Sequence, residues 1–262
     1  MTYTTSTQSE SQYSLAKILG IWATAAVPMP FLSFVIGPAL APVVDLKVEI
    51  VRWMMIIVGL AWLFVLSMIV LRRELRTLRW SVIRKRMWYQ IPRDPKTGEP
   101  KAKLLWWALP SALLNGIVVF TPIGHTLQEA ILAVFPPFRP WVMRGTDLLS
   151  PEYVGQWWLL GVMLANMLFN YFLGEEFLFR GVLLPKMNGV FGKWDWIMNV
   201  VLFSFWHWHQ PWGFLQVIAA FLIAGWASRR YQSNLIFLIA HGVDGIFMFV
   251  MLLLVVAGLG PY

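Results

Sequence analysis

Residues 51–71 read VRWMMIIVGLAWLFVLSMIVL, a run whose one charge is Arg52. A helix of about 20 apolar residues, rising 1.5 Å per residue, crosses a hydrocarbon core of about 30 Å, so this run predicts a membrane span. Composition agrees: of 262 residues, 58% are hydrophobic and 13% charged, against about 45–50% and about 25% in soluble domains. Those fractions exclude a disordered chain and argue against a soluble single core. The 16 Trp residues suit the membrane–water interface, where one edge of an indole is dry and the other wet. Cysteine is absent, which removes disulfides, thiolate nucleophiles and Cys-ligated metals together.

Working outward from 51–71, six more segments have the length and apolarity of spans: 15–40, 104–121, 157–184, 196–211, 213–228 and 235–258. Pro28 and Pro30 predict a kink in the first. Pro211 divides the fifth from the sixth, which predicts a tight hairpin. The apolar stretch 126–138 is too short to span and ends in Pro136-Pro137, so it reads as interfacial or re-entrant. The expected fold is an all-α polytopic transmembrane helical bundle of seven spans, or eight if that stretch is counted, around a buried polar cavity. Its expected parts are a disordered cytoplasmic tail at 1–14, membrane helices at 15–154 and a catalytic helical core at 155–258.

The net charge is +8. Eleven of the 21 cations lie in the loop 72–103 beside three acids, so that segment alone accounts for +8. A basic patch this local is an orientation signal, because Lys and Arg are enriched in cytoplasmic loops. It gives no reason to expect a nucleic-acid partner. Seven spans then place the N-terminus inside the cell, with Lys186, Lys193, Arg229 and Arg230 on the same side. Lys47, Arg139 and Arg144 fall outside. The tail carries no Lys or Arg and precedes a segment too long for a signal-peptide core, so a multi-pass protein of the plasma membrane is expected rather than a secreted one.

Charges at membrane depth are costly unless paired or wet, which makes them the first functional candidates. Three clusters qualify: Gly174-Glu175-Glu176-Phe-Leu-Phe-Arg180-Gly181, Phe203-Ser-Phe-Trp-His207-Trp-His209, and His241-Gly-Val-Asp244. Glu176 and Arg180 are four apart and share a helical face as a potential ion pair. Glu175, rotated by about 100°, needs a partner on another helix or water. His207 and His209 point to nearly opposite sides. His241 and Asp244 share a face, so that carboxylate could fix the imidazole tautomer. Counted from the cytoplasmic ends at 1.5 Å per residue, Glu175 lies about 15 Å deep, His207 about 18 Å, His241 about 9 Å and Asp244 about 13 Å. Similar depths on three helices predict one buried site. Structural roles compete with this: an Arg-centred network for the two acids, or a carbonyl-bonded imidazole for any one His.

Glu175-Glu176-x-x-x-Arg180, Phe203-x-x-x-His207 and His241 resemble the three motifs of the CPBP (Abi) family of intramembrane proteases, which includes the type II CAAX prenyl endopeptidases. The resemblance extends over about residues 155–258. It implies that Glu175, aided by His207, activates a water for attack on a peptide carbonyl, that Glu176 belongs to the catalytic set, that His241 helps stabilise the oxyanion, and that Arg180, Asp244 and Phe203 support them. Glu175, His207 and His241 suit Zn²⁺ with an open position. They equally suit a metal-independent water held by Glu and His. The implied partners are the lipid bilayer and a membrane-embedded or membrane-anchored peptide or protein substrate, CAAX-type processing being one such reaction. Two departures stand out. The third motif's usual Asn, four residues after its His, is Gly245 here, with Asp244 one place earlier. An Asp there leaves open a water, a metal held through Asp244, or impairment. Phe205-x-x-x-His209 also satisfies the second motif, although the spacing from Glu175 favours His207. A catalytically impaired relative acting as a membrane immunity or scaffold protein is the second expectation. An ion-coupled transporter is a third, with no repeat or paired broken helices to support it.

Overall fold

A computed structural model describes residues 11–143 and 148–260. Helix α1, Leu15–Val44, is followed by α2, Val48–Leu75. The loop after α2 carries the short α3, Trp80–Arg86. Next come α4, Ala102–Phe120, and α5, Pro122–Val134. Helix α6 runs over 158–186, α7 over Asp195–Trp206, α8 over Pro211–Tyr231 and α9 over Leu235–Val256. No strand occurs among the described residues.

Five helices, α1, α2, α4, α8 and α9, are long and apolar enough to cross a membrane. The sequence suggested seven. Segment 157–184 is helical from Trp158 but divided into α- and π-helical stretches, with Glu175, Glu176 and Arg180 in its second half. Segment 196–211 falls on a helix of only 12 residues, Asp195–Trp206, a length of about 18 Å. The stretch 126–138 falls largely in α5, 13 residues that are likewise too short to span.

The prolines of α1 act as expected. Pro28 lacks the N–H that would reach the Thr24 carbonyl, the helix breaks into a turn at Val27, and the Trp62 indole on α2 donates to the freed Thr24 oxygen at 2.9 Å. Of the expected tail, residues 1–10 lie outside the described residues, while its end is ordered. Tyr13 is buried, and its N–H donates to the Lys186 carbonyl at 3.0 Å.

Contacts divide the bundle into two ends. At the end carrying the basic loop, Arg86 is buried. It pairs with Glu74 at 2.6 Å and donates to the Gly181 and Val182 carbonyls at the C-terminal end of α6, at 3.2 and 3.1 Å. The segment after α3 is stitched to the α8–α9 turn: Arg93 N–H to the Tyr231 carbonyl at 2.9 Å, Asn234 N–H to the Trp88 carbonyl at 3.0 Å, and Ser233 Oγ to the Gln90 carbonyl at 2.6 Å. At the other end Lys47 pairs with Glu152 and Gly155 N–H donates to the Val256 carbonyl at 2.9 Å. Helix α6 runs between these ends, buried without interruption from Gly174 to Leu184.

Candidate active site

The polar face of α6 is built on an unusual backbone. Leu168–Gly174 and Glu176–Leu183 are π-helical, with i→i+5 in place of i→i+4 hydrogen bonds, a geometry frequent at functional sites. The chain tolerates this at Gly174 because the helix there presses against its neighbour: a Cβ would fall 2.8 Å from the Leu60 carbonyl of α2 and would strike the Phe169 carbonyl of its own helix. The Phe179 carbonyl, which accepts from the Leu184 N–H across the widened turn, also accepts from the Asn199 amide of α7 at 2.7 Å.

The i→i+5 spacing puts Asn170 beside Glu175. With its nitrogen turned toward the carboxylate, the Asn170 amide donates to both Glu175 oxygens, at 2.9 and 3.1 Å. Glu175 therefore finds its polar partner on its own helix. Its other neighbour is His207, whose Nε2 lies 3.6 Å from Glu175 Oε1. His207 terminates α7, and its Nδ1 sits 2.9 Å from the Phe203 carbonyl. A carbonyl only accepts, so the proton is on Nδ1 and the Nε2 lone pair faces Glu175. Two acceptors 3.6 Å apart do not bond each other. They form a cradle for a water or for a cation.

Glu176 has a different role from the one its spacing suggested. Its Oε1 lies 2.9 Å from His241 Nδ1 on α9, so the carboxylate orienting that imidazole comes from α6 and not from Asp244, which is half-buried one turn along α9. The Glu176–Arg180 approach is loose, 4.0 Å. The fully buried Arg180 guanidinium makes no hydrogen bond to described residues and is clamped between the Phe203 and Phe237 rings, 4.1 and 3.8 Å from their centroids. Cation–π attraction on both faces adds to the attraction of the nearby Glu176 carboxylate. Phe203 thus serves three groups: its carbonyl fixes His207, and its ring packs on Arg180 and on Phe179.

Glu175, Glu176 and His241 bring one ligand atom each within 4.8 Å of one another. That trio differs from the sequence-based set of Glu175, His207 and His241, because the Glu176–His241 bond draws the second carboxylate in. The donor chemistry suits Zn²⁺. The 3.6 Å between His207 Nε2 and Glu175 Oε1 can be bridged by an ion with bonds of about 2.0–2.2 Å, and a His whose far nitrogen meets a carboxylate is a common zinc-site arrangement.

Gly245 is occupied from outside. A Cβ there would strike the ring of Tyr171, which stands edge-on to His241 with centroids 4.6 Å apart. Two site residues were passed over in the sequence, Asn170 and Tyr171. His209, weighed there as the alternative second-motif histidine, is buried, its Nδ1 without a partner among the described residues, and its ring is centred 5.4 Å from that of His207. The available signal was polar Asn166 and Asn170 one turn apart in an apolar span. Only knowledge of the π-helix would have linked Asn170 to Glu175.

Two glutamates and two histidines buried close together among long apolar helices define a multi-pass membrane protein with a buried polar site. Within that class, residues 156–259 match the family model described as Rce1-like, type II CAAX prenyl endopeptidase Rce1-like. The matched segment carries all three polar clusters, and the match supports membership of that family. No curated protein and no solved structure matches the chain.

Proposed function

We propose that the protein is an intramembrane endopeptidase in which Glu175 and His207 activate a water for direct attack on a peptide carbonyl. The observation carrying this is the His207 Nε2 lone pair facing Glu175 Oε1 at 3.6 Å, with the tautomer fixed by the Phe203 carbonyl. A water between them donates one hydrogen bond to each. As it attacks, Glu175 takes its proton, and the same carboxyl later delivers that proton to the leaving amine. Asn170 holds the carboxylate in place during both transfers.

The tetrahedral oxyanion needs a donor, and His241 supplies one through Nε2 whenever the Glu176–His241 pair holds two protons in total. Either arrangement within that pair, imidazolium with carboxylate or acid with neutral ring, presents an Nε2–H. A metal, where one is bound, would be held by Glu175, Glu176 and His241, whose ligand atoms converge, with His207 beside Glu175, and would supply a water of lowered pKa and a polarised carbonyl. A multi-pass plasma-membrane location with the basic loop in the cytoplasm, and seven membrane crossings in which 158–186 and α7 join the five long helices, complete the reading.

Direct attack by water has a kinetic signature. Hydrolysis of a quenched-fluorescence peptide library in ¹⁸O-water is expected to place the heavy oxygen in the new carboxyl with no burst phase, whereas a burst from an accumulating acyl-enzyme would sink the mechanism. A second reading, an impaired member protecting or scaffolding another membrane protein, is favoured by Gly245, where the Tyr171 ring leaves no room for a side chain. In that case function survives Glu175→Gln and His207→Ala.

A further inference from the structure

A cavity of about 240 Å³ lies apart from the glutamates and histidines, where α7 begins and α8 ends. Its walls are Lys193, just before α7, Asp195 and Trp196 in the first turn of α7, and Trp226, Arg229 and Arg230 in the last two turns of α8. One turn further into the bundle the two helices close on each other: a Cβ at Gly225 would fall 2.6 Å from Val200 Cγ2. The cavity is therefore a cup at the end of a helix pair and not a passage between them. Tyr231, next to Arg230, accepts from the Arg93 N–H at 2.9 Å, which sets the cup beside the basic loop.

The charges of the cup are held unequally. The buried Asp195 carboxylate pairs with Arg229 Nε, and the Arg229 guanidinium also stands 5.8 Å from the Trp88 ring. Arg229 is thus braced, while its terminal nitrogens make no hydrogen bond to described residues. Arg230 and Lys193 are exposed, Lys193 with its Nζ 5.1 Å from the Trp194 ring. Three cations and one acid leave the cup with a charge of +2. Trp226 stands edge-on to Trp107 of α4, centroids 4.8 Å apart, which stiffens the aromatic wall. Indoles beside cations at the ends of apolar helices mark the membrane–water interface, the level of lipid phosphates. Neutralising the negative end of α8 accounts for Arg229 and Arg230 but not for Lys193 or for the cup itself. We infer that this cup binds the phosphate of an anionic glycerophospholipid, with Arg229, Arg230 and Lys193 as donors. The acyl chains stay outside, because the Gly225 contact leaves them no room between α7 and α8. Arginine forks match phosphate oxygens, and basic pockets between membrane helices take anionic headgroups.

The test needs binding and not turnover, so it stands whatever reaction the glutamates and histidines carry out. The full chain, purified in a neutral detergent, is titrated with phosphatidylglycerol, with phosphatidylcholine and with inorganic phosphate, and binding is read by native mass spectrometry and by the unfolding temperature. Phosphatidylglycerol is expected to form a complex and raise the unfolding temperature, with much weaker effects from the other two. Lys193→Ala combined with Arg230→Ala is expected to weaken phosphatidylglycerol binding by about 10–30-fold. Arg79→Ala combined with Arg84→Ala, an exposed pair at the same end of the bundle but outside the cup, is expected to leave it unchanged. All four side chains are exposed, so unfolding temperatures without lipid should match the wild type. Equal weakening by the two pairs would make the binding a general property of the basic end and overturn the inference. Absence of a phosphatidylglycerol complex, or equal binding of phosphatidylcholine, would overturn it as well, and a response to inorganic phosphate as large as that to the lipid would assign the cup to a soluble anion instead.

Discussion

Glu175 is surrounded by groups that each do one thing. Asn170 donates to it, His207 offers it a lone pair across 3.6 Å, and neither touches Glu176, whose Oε1 is committed to His241. Asn170 acts by positioning, so Asn170→Ala is expected to lower kcat by about 10–100-fold with KM unchanged. Steady-state kinetics of the purified protein check this, and a change confined to KM would place Asn170 in substrate binding. Gly245 permits a test by compensation. Gly245→Asn forces a side chain into the Tyr171 ring and is expected to destabilise by about 1–3 kcal/mol. Tyr171→Ala in the same protein should recover part of that loss, and a calorimetric double-mutant cycle with no coupling would contradict the packing described.

At the scale of elements, α6 depends on supports outside the matched segment. Arg86 is buried and pairs with Glu74, which also accepts from Tyr13 and meets Lys186 at 3.5 Å. Arg86→Ala leaves a carboxylate and two helix-end carbonyls short of donors, so a loss of about 3–5 kcal/mol is expected, read as a lower unfolding temperature in detergent. Gly174→Val should also be severely destabilising, since α2 and α6 meet there backbone to backbone. The sequence showed the helices, their order, the α1 break at its prolines and the three polar clusters, because hydropathy and proline chemistry are local. It did not show the π-helical backbone, the Glu176–His241 bond or the burial of Arg86. Those depend on which helices touch and on a widened backbone: the i,i+4 approach of Glu176 to Arg180 is present at 4.0 Å, whereas the i,i+5 partnership of Asn170 with Glu175 needs the π-helix. Asp244 was paired with His241 on spacing alone, while the nearer carboxylate comes from 65 residues earlier in the chain.

Over the whole molecule, the charge of the basic loop and the charge of the proposed site occupy different places. The +8 of loop 72–103 gathers at one end of the bundle, and one of its members, Arg86, is drawn inside to hold α6. Glu175, Glu176, Arg180, His207 and His241 are all buried. The central claim is that Glu175 moves the proton of the attacking water. Its most direct test is the hydrolysis rate of a quenched-fluorescence peptide by purified Glu175→Gln protein, measured beside its thermal unfolding. A rate lower by about 10²–10⁴-fold at an unchanged unfolding temperature is expected, and turnover retained near the wild-type rate would contradict the account.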